Sequence, residues 1–148
     1  MTLDEDLMKE ALDIGLLSLK YCEDFFGLKY DLPHLGMIGV HKFSGAMENW
    51  GMQIYEEKVM FGTSISSTRG QTETILHETF HQWLGNRITN TWWNDIWVQE
   101  APVYYLSQMG AESLRPGHGY MVAFLARAFF ESHFLASPLL FPATSPEM

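Results

Sequence analysis

Apolar side chains recur at three- and four-residue steps near the start of the chain. Leu7, Met8, Ala11, Leu12, Leu16, Leu19, Cys22 and Phe26 form one stripe, which predicts an amphipathic helix over residues 3–26. Thr2 and Glu5 have the spacing of a capping box, and Gly27 supplies a stop. Asp31-Leu32-Pro33 reads as a turn. From Met37 to Phe61 the pattern breaks into short apolar pieces around Gly36, Gly39, Gly45 and Gly51, which predicts two or three short strands.

Residues 62–70 are small and polar and read as a loop. A helix is expected from about Gln71 to Leu84, with Gly85-Asn86 as its C-terminal signal. Asn94 or Asp95 can cap another helix, running to about Met109 and ended by Gly110. Pro116 to Gly119 is a break, and Tyr120 to Leu135 reads as a last amphipathic helix. The tail from Ser137 to Met148 has three prolines and no element. The order predicts an α+β chain, mostly helical, with a few short strands ahead of the second long helix.

Composition narrows the function. The chain has 148 residues, a length typical of one domain, and one cysteine, which excludes an internal disulfide framework and an all-cysteine metal site. Its 18 acidic against 9 basic side chains give a net charge of −9, which argues against nucleic acid as a partner and suits the handling of cationic groups. The acidic N-terminus shows no signal peptide. The most apolar stretch, Met121 to Phe130, is interrupted by Arg127, so no membrane-spanning segment is expected.

The strongest chemical signal is His77-Glu78-Thr79-Phe80-His81. On a helix, positions four apart are separated by about 40° around the axis and about 6 Å along it, so both imidazoles face one way. That is the arrangement two zinc ligands need, with Glu78 beside the first as general base toward a metal-bound water. At this composition the pattern arises by chance roughly 0.02 times per chain of this length. A third protein ligand leaves one coordination position open, and Glu100, which follows His81 with 18 residues between on the next predicted helix, is the candidate. The competing reading is two surface histidines and a solvated glutamate. His34, His41, His118 and His133 lack a partner at ligand spacing and read as surface or half-buried side chains. Trp83, Trp92, Trp93 and Trp97 are expected in the core around these helices, with a pocket wall as the alternative role. Cys22 is expected to be a small buried hydrophobe, and Asp95 either a helix cap or a partner to a ligand.

Here a resemblance enters. The stretch from His77 through Gln82-Trp83-Leu84-Gly85-Asn86, then Trp92-Trp93-Asn94-Asp95 and Glu100, resembles the aminopeptidase N-like family of zinc metallopeptidases, gluzincins with a thermolysin-like catalytic domain. Gly45-Ala46-Met47-Glu48-Asn49-Trp50-Gly51 is similar to that family's exopeptidase signature and lies upstream, as in the family. The resemblance covers roughly residues 10–110. It implies that His77, His81 and Glu100 hold one Zn²⁺ and that Glu78 takes a proton from the bound water and returns it to the leaving amine. It implies that Glu48, within a substrate-binding segment of Gly45, Ala46, Met47, Glu48 and Asn49, binds the free α-amine of a peptide substrate. Family members include cytoplasmic enzymes and membrane-anchored ectoenzymes, which leaves the compartment open.

The chain also departs from the family. Tyr104, Tyr105 and Tyr120 do not sit in the motif of the family's oxyanion-stabilising tyrosine. Ala101-Pro102 stands where Gly-Phe usually follows the third ligand, and Phe80 stands where a small residue is usual. Lys42-Phe43-Ser44-Gly45 is one residue shorter than the family's approach to the exopeptidase motif. Residues 1–148 are expected to be a single partial catalytic domain, without the family's N-terminal β-domain and C-terminal helical domain. Two functions follow: hydrolysis of the N-terminal residue of peptides, or a weak or inactive relative that binds zinc or peptide N-termini. An endopeptidase is a third reading, against which Glu48 argues.

Overall fold

The first long helix, α1, spans Glu5–Phe26 in the computed structural model, which describes residues 5–61 and 65–135. It ends at Gly27, whose φ of +64° is the left-handed conformation that glycine adopts without steric cost. Thr2 of the expected capping box and the side chain of Leu7 lie outside the described residues. The buried face overlaps the predicted apolar stripe only in part. Ala11, Ile14, Ser18 and Cys22 are buried, whereas Met8, Leu12 and Leu16 are 42%, 55% and 59% exposed. The helix turns its small side chains inward because its neighbours approach closely: a Cβ on Gly15 would lie 2.5 Å from Met37 Sδ.

Three short strands follow: β1 (Gly36–Val40), β2 (Ala46–Met47) and β3 (Met52–Glu56). Their spatial order is β1-β3-β2, with β1 parallel to β3 in the register Gly36↔Met52 and β2 antiparallel to β3 in the register Ala46↔Tyr55. Gly45 and Gly51, at φ +80° and +85°, make the turns that bound β2 and the residues after it. Strand β3 alternates, with Gln53 and Tyr55 fully buried.

A short helix, α2 (Glu57–Met60), leads to α3 (Ile65–His81). This start corrects the expected loop over residues 62–70, of which 62–64 lie outside the described residues. Two side chains near this start are held by local and tertiary bonds. Thr72 Oγ1 donates to the Thr68 carbonyl at 3.0 Å, and the Arg69 guanidinium donates to the Gly119 carbonyl at 3.2 Å and lies over the Tyr120 ring. The far end also differs from expectation. The helix stops at His81, and residues 82–86 tighten into turns closed by Trp83 N–H to the Phe80 carbonyl and Asn86 N–H to the His81 carbonyl.

A 3₁₀ turn, Trp93–Asp95, precedes α4 (Trp97–Leu114). The expected cap at Asn94 or Asp95 is not formed: Ile96 is the N-cap and makes no side-chain bond. Gly110 does not end the helix either. It sits where α4 crosses α1 and α3, and a Cβ there would lie 3.0 Å from Tyr21 Cε1 and 3.2 Å from Leu76 Cδ2. Pro102 lies inside α4. Gly117 and Gly119, at φ +85° and +69°, form the expected break before α5 (Tyr120–Leu135). The proline-containing tail lies outside the described residues. No helix among the described residues is long and apolar enough to cross a membrane.

The architecture is therefore α+β and mostly helical, with one small sheet. Helix α3 joins its two buried clusters. Leu76, Phe80 and Trp83 at and just beyond its end pack with Cys22, Val103, Ala111 and Tyr120, while Ile75 packs with Ala11, Ile14, Tyr55 and Met60. Phe80 is fully buried, with its ring edge-to-face against Tyr21, Phe25 and Phe26. The large side chain at this position between the two motif histidines is thus accommodated among aromatic side chains from α1. Truncation by Phe80→Ala should cost about 3–5 kcal/mol of folding stability, read as a lower denaturant midpoint at unchanged m-value.

Candidate metal centre

His77 and His81 lie on the last turns of α3, on a face adjacent to the one that packs Phe80 into the core. Their Nε2 atoms are 3.0 Å apart, and the ring planes cross at 77°. Glu100 comes from the first turn of α4, with Oε2 3.5 Å from His77 Nε2 and 3.4 Å from His81 Nε2. Tetrahedral coordination with bonds of about 2.0–2.1 Å would set ligand atoms about 3.3 Å apart. Two imidazoles and one carboxylate converging at that spacing form a group that could hold a metal ion. The 18 intervening residues let α4 return against α3 and bring Glu100 to the histidines.

The ligand atoms are oriented from behind. His81 Nδ1 is 2.9 Å from the Leu84 carbonyl, so this nitrogen donates and Nε2 keeps its lone pair for the centre of the triangle. Leu84 can serve because the chain turns back at Gly85, whose φ is +120°. A Cβ on Gly85 would lie 3.1 Å from His81 Nδ1. Tyr104, one turn along α4 from Glu100, packs its ring against His77 at a centroid distance of 6.5 Å. Asp95 is exposed, and the acceptor for His81 is a backbone carbonyl instead.

Glu78 is 5% exposed. Burial pushes its carboxyl up to about 7; the nearby His77 opposes this, and the Glu48 and Glu100 carboxylates add to it. Burial also lowers His81, with His77 contributing, whereas the bond to His77 holds Glu100 below the usual carboxylate range. Beneath Glu78 a buried polar chain ties α3 to the sheet. Tyr55 Oη donates to Gln53 Oε1 at 2.7 Å, Gln53 Nε2 to Thr79 Oγ1 at 3.4 Å, and Thr79 Oγ1 to the Ile75 carbonyl at 2.7 Å.

An open cleft of about 700 Å³ contains the group, and Ala46, Met47, Glu48, His77, Glu78, His81 and Glu100 all line it. Strand β2 supplies Ala46 and Met47, and Glu48 follows immediately. Gly45 and Asn49 flank the lining residues in the bounding turns: Gly45 accepts from Glu56 N–H at 2.8 Å and Asn49 from Met52 N–H at 2.9 Å. The tryptophans divide. Trp83 is core at 2% exposed, but Trp92, Trp93 and Trp97 are 65%, 72% and 65% exposed, contrary to the core expectation for all four. Trp92 and Trp93 line the cleft, since the segment before α4 passes along its rim rather than under the helices. Two residues without an assigned role in the motif reading, Gln82 and Asn86, both bond the backbone of Glu48. Their sequence signal is their place just after the histidines, within the stretch that carries the family resemblance. His41 pairs with Glu57 and His118 with the Arg115 carbonyl, both away from the cleft, and the His133 side chain lies outside the described residues.

Comparison with known proteins is specific. The peptidase family M1 domain matches residues 10–135. Human endoplasmic reticulum aminopeptidase 1 is 34% identical over 93% of this chain, which covers 16% of that protein. Aminopeptidase M1-C of Oryza sativa subsp. japonica is 37% identical over 79% of the chain and 14% of its own length. Probable aminopeptidase 2 of Sulfurisphaera tokodaii is 32% identical over 94% of the chain and 19% of its own length. The chain thus spans less than a fifth of each of these relatives.

Gly85 gives a direct check on how the site is built. Gly85→Ala places a side chain at a positive φ and against His81, and should cost about 1–3 kcal/mol, measured by urea unfolding.

Proposed function

The chain belongs to peptidase family M1, and we propose that it carries the metal and amine-binding parts of a zinc-dependent aminopeptidase site acting on peptides with a free N-terminus. In this reading residues 1–148 correspond to part of a thermolysin-like catalytic domain. The observation that carries the reading is the single cleft in which the His77–His81–Glu100 triangle, the buried Glu78 and Glu48 all meet.

His77, His81 and Glu100 are assigned as ligands of one Zn²⁺; their two neutral nitrogens and one carboxylate are a zinc donor set. When bound, the ion supplies a water of lowered pKa and polarisation of the scissile carbonyl. Glu78 is assigned as the base that takes the water's proton and hands it to the departing amine. A carboxyl raised to about 7 can both accept and return a proton near neutral pH. Glu48 is assigned to the substrate's α-ammonium, with Gly45, Ala46, Met47 and Asn49 shaping the segment that presents it. A carboxylate fixed at one end of the cleft restricts hydrolysis to the first peptide bond.

A second reading has its own support. Among the described residues lining the cleft there is no tyrosine to stabilise an oxyanion. Loss of such a donor lowers turnover by about 10²–10³-fold. The chain would then bind zinc and peptide N-termini with slow or no hydrolysis.

Metal analysis of the purified protein should find one zinc per chain, abolished by His81→Ala and strongly reduced by Glu100→Ala; a metal-free protein after zinc dialysis rejects both readings. On aminoacyl-arylamide substrates, Glu78→Gln should keep the zinc and lower kcat by about 10²–10⁴-fold. Unchanged turnover removes Glu78 as the base. Wild-type protein that holds zinc but turns over at the rate of Glu78→Gln supports the second reading.

A further inference from the structure

We infer that Gln82 and Asn86 are positioning residues that fix the Glu48 carboxylate at a set distance from the metal triad, by clamping the Glu48 backbone carbonyl to the end of α3. The inference rests on the assignment of Glu48 to the substrate amine.

Glu48 has little local support. It follows the last ladder pair of β2, Met47↔Ile54, and precedes a turn closed at Gly51. Instead, two side-chain amides converge on its carbonyl: Gln82 Nε2 and Asn86 Nδ2 each donate to it at 2.8 Å. Together they satisfy both lone pairs of that oxygen. The orientation of the Gln82 amide is determined by its surroundings. Its nitrogen also faces the Glu78 carbonyl at 3.3 Å, an acceptor only, and its oxygen accepts from Tyr30 Oη at 3.1 Å and from Gly51 N–H at 3.5 Å. Gln82 is 2% exposed, so each of these bonds forms away from competing water.

Both clamping residues are tied to the ligand helix. Gln82 is the residue after His81, and Asn86 N–H donates to the His81 carbonyl at 3.0 Å. The loop bearing Glu48 is thereby referenced to the turn that carries two of the three ligands. Sliding Glu48 toward or away from the triad breaks two bonds at once. Selectivity for a free amine at the first peptide bond depends on that separation, because misplacement of about 1 Å can cost about 10²-fold.

The test uses the full zinc-loaded chain with Glu78→Gln, so that peptide is not consumed, and calorimetric binding of tetraalanine and of N-acetyl-tetraalanine. The parent should prefer the free amine, and Glu48→Gln should abolish that preference. Asn86→Ala and Gln82→Met should each reduce the preference about 3–10-fold while keeping one zinc per chain and unaltered binding of the acetylated peptide. Asn86 is only half-buried, so its truncation probes the clamp even where loss of the buried Gln82 lowers stability. Full preference in both variants, with Glu48→Gln still abolishing it, overturns the clamp and leaves the Glu48 assignment standing. Equal weakening toward both peptides, or loss of zinc, overturns it in favour of a purely structural role. No effect of Glu48→Gln rejects the Glu48 assignment itself.

Discussion

Helix α3 must bury one side while presenting two imidazoles on another, and nearly everything else in the structure follows from how that is done. With 3.6 residues per turn, His77 and His81 share a face only if Phe80 points elsewhere, and Phe80 goes into the aromatic cluster of α1. The helix cannot roll or slide without exposing Leu76, Phe80 and Trp83. The position of the histidine pair relative to α4 and the sheet is therefore a consequence of core packing. A close-packed core tolerates such displacement poorly, which makes α3 a rigid support for a metal site.

The same helix carries an unusual share of buried polar groups. Thr79 and Glu78 are buried, as are Gln82 just beyond its end and Gln53 and Tyr55 opposite. Each of the neutral ones has a bonded partner, so their burial adds direction rather than leaving unpaired groups. Glu78 is the exception in kind: its carboxyl is desolvated and surrounded by other acids, and the result is a raised pKa at the place where proton transfer is proposed. The cleft thus combines a rigid histidine pair, a carboxylate from α4, and Glu48, whose backbone carbonyl is held by two side-chain amides.

Much of this was readable from residue pattern. The helices α1 and α5 are announced by their apolar pattern and α3 and α4 by their end signals, and two or three short strands by the glycine-broken stretch before α3, of which three form. The misreadings share a cause. The loop expected over residues 62–70 becomes helix because Arg69 and Thr72 find partners outside and inside it. Gly110 reads as a stop but serves a helix crossing. The α1 stripe omits Ser18, which is buried, and includes Leu12 and Leu16, which are not. In each case a neighbour absent from the local sequence decides the outcome.

The site divides along the same line. Spacing alone determined that His77 and His81 face one way, because helix geometry is local and four residues make about one turn. It also singled out Glu78 and Glu100 as carboxylates in reach of those histidines, whereas Glu48 was singled out by the resemblance of residues 45–51 to the family's exopeptidase signature. Only the tertiary structure decided that Glu100 closes the triangle at 3.4–3.5 Å, that Trp92 and Trp93 line the rim, and that Gln82 and Asn86 hold Glu48 in place. The bonds and contacts among Glu100, the two histidines, Gln82, Asn86 and Glu48 join residues 19 to 38 positions apart, and no periodicity encodes a bond across such a gap; it is set by which faces the core leaves free.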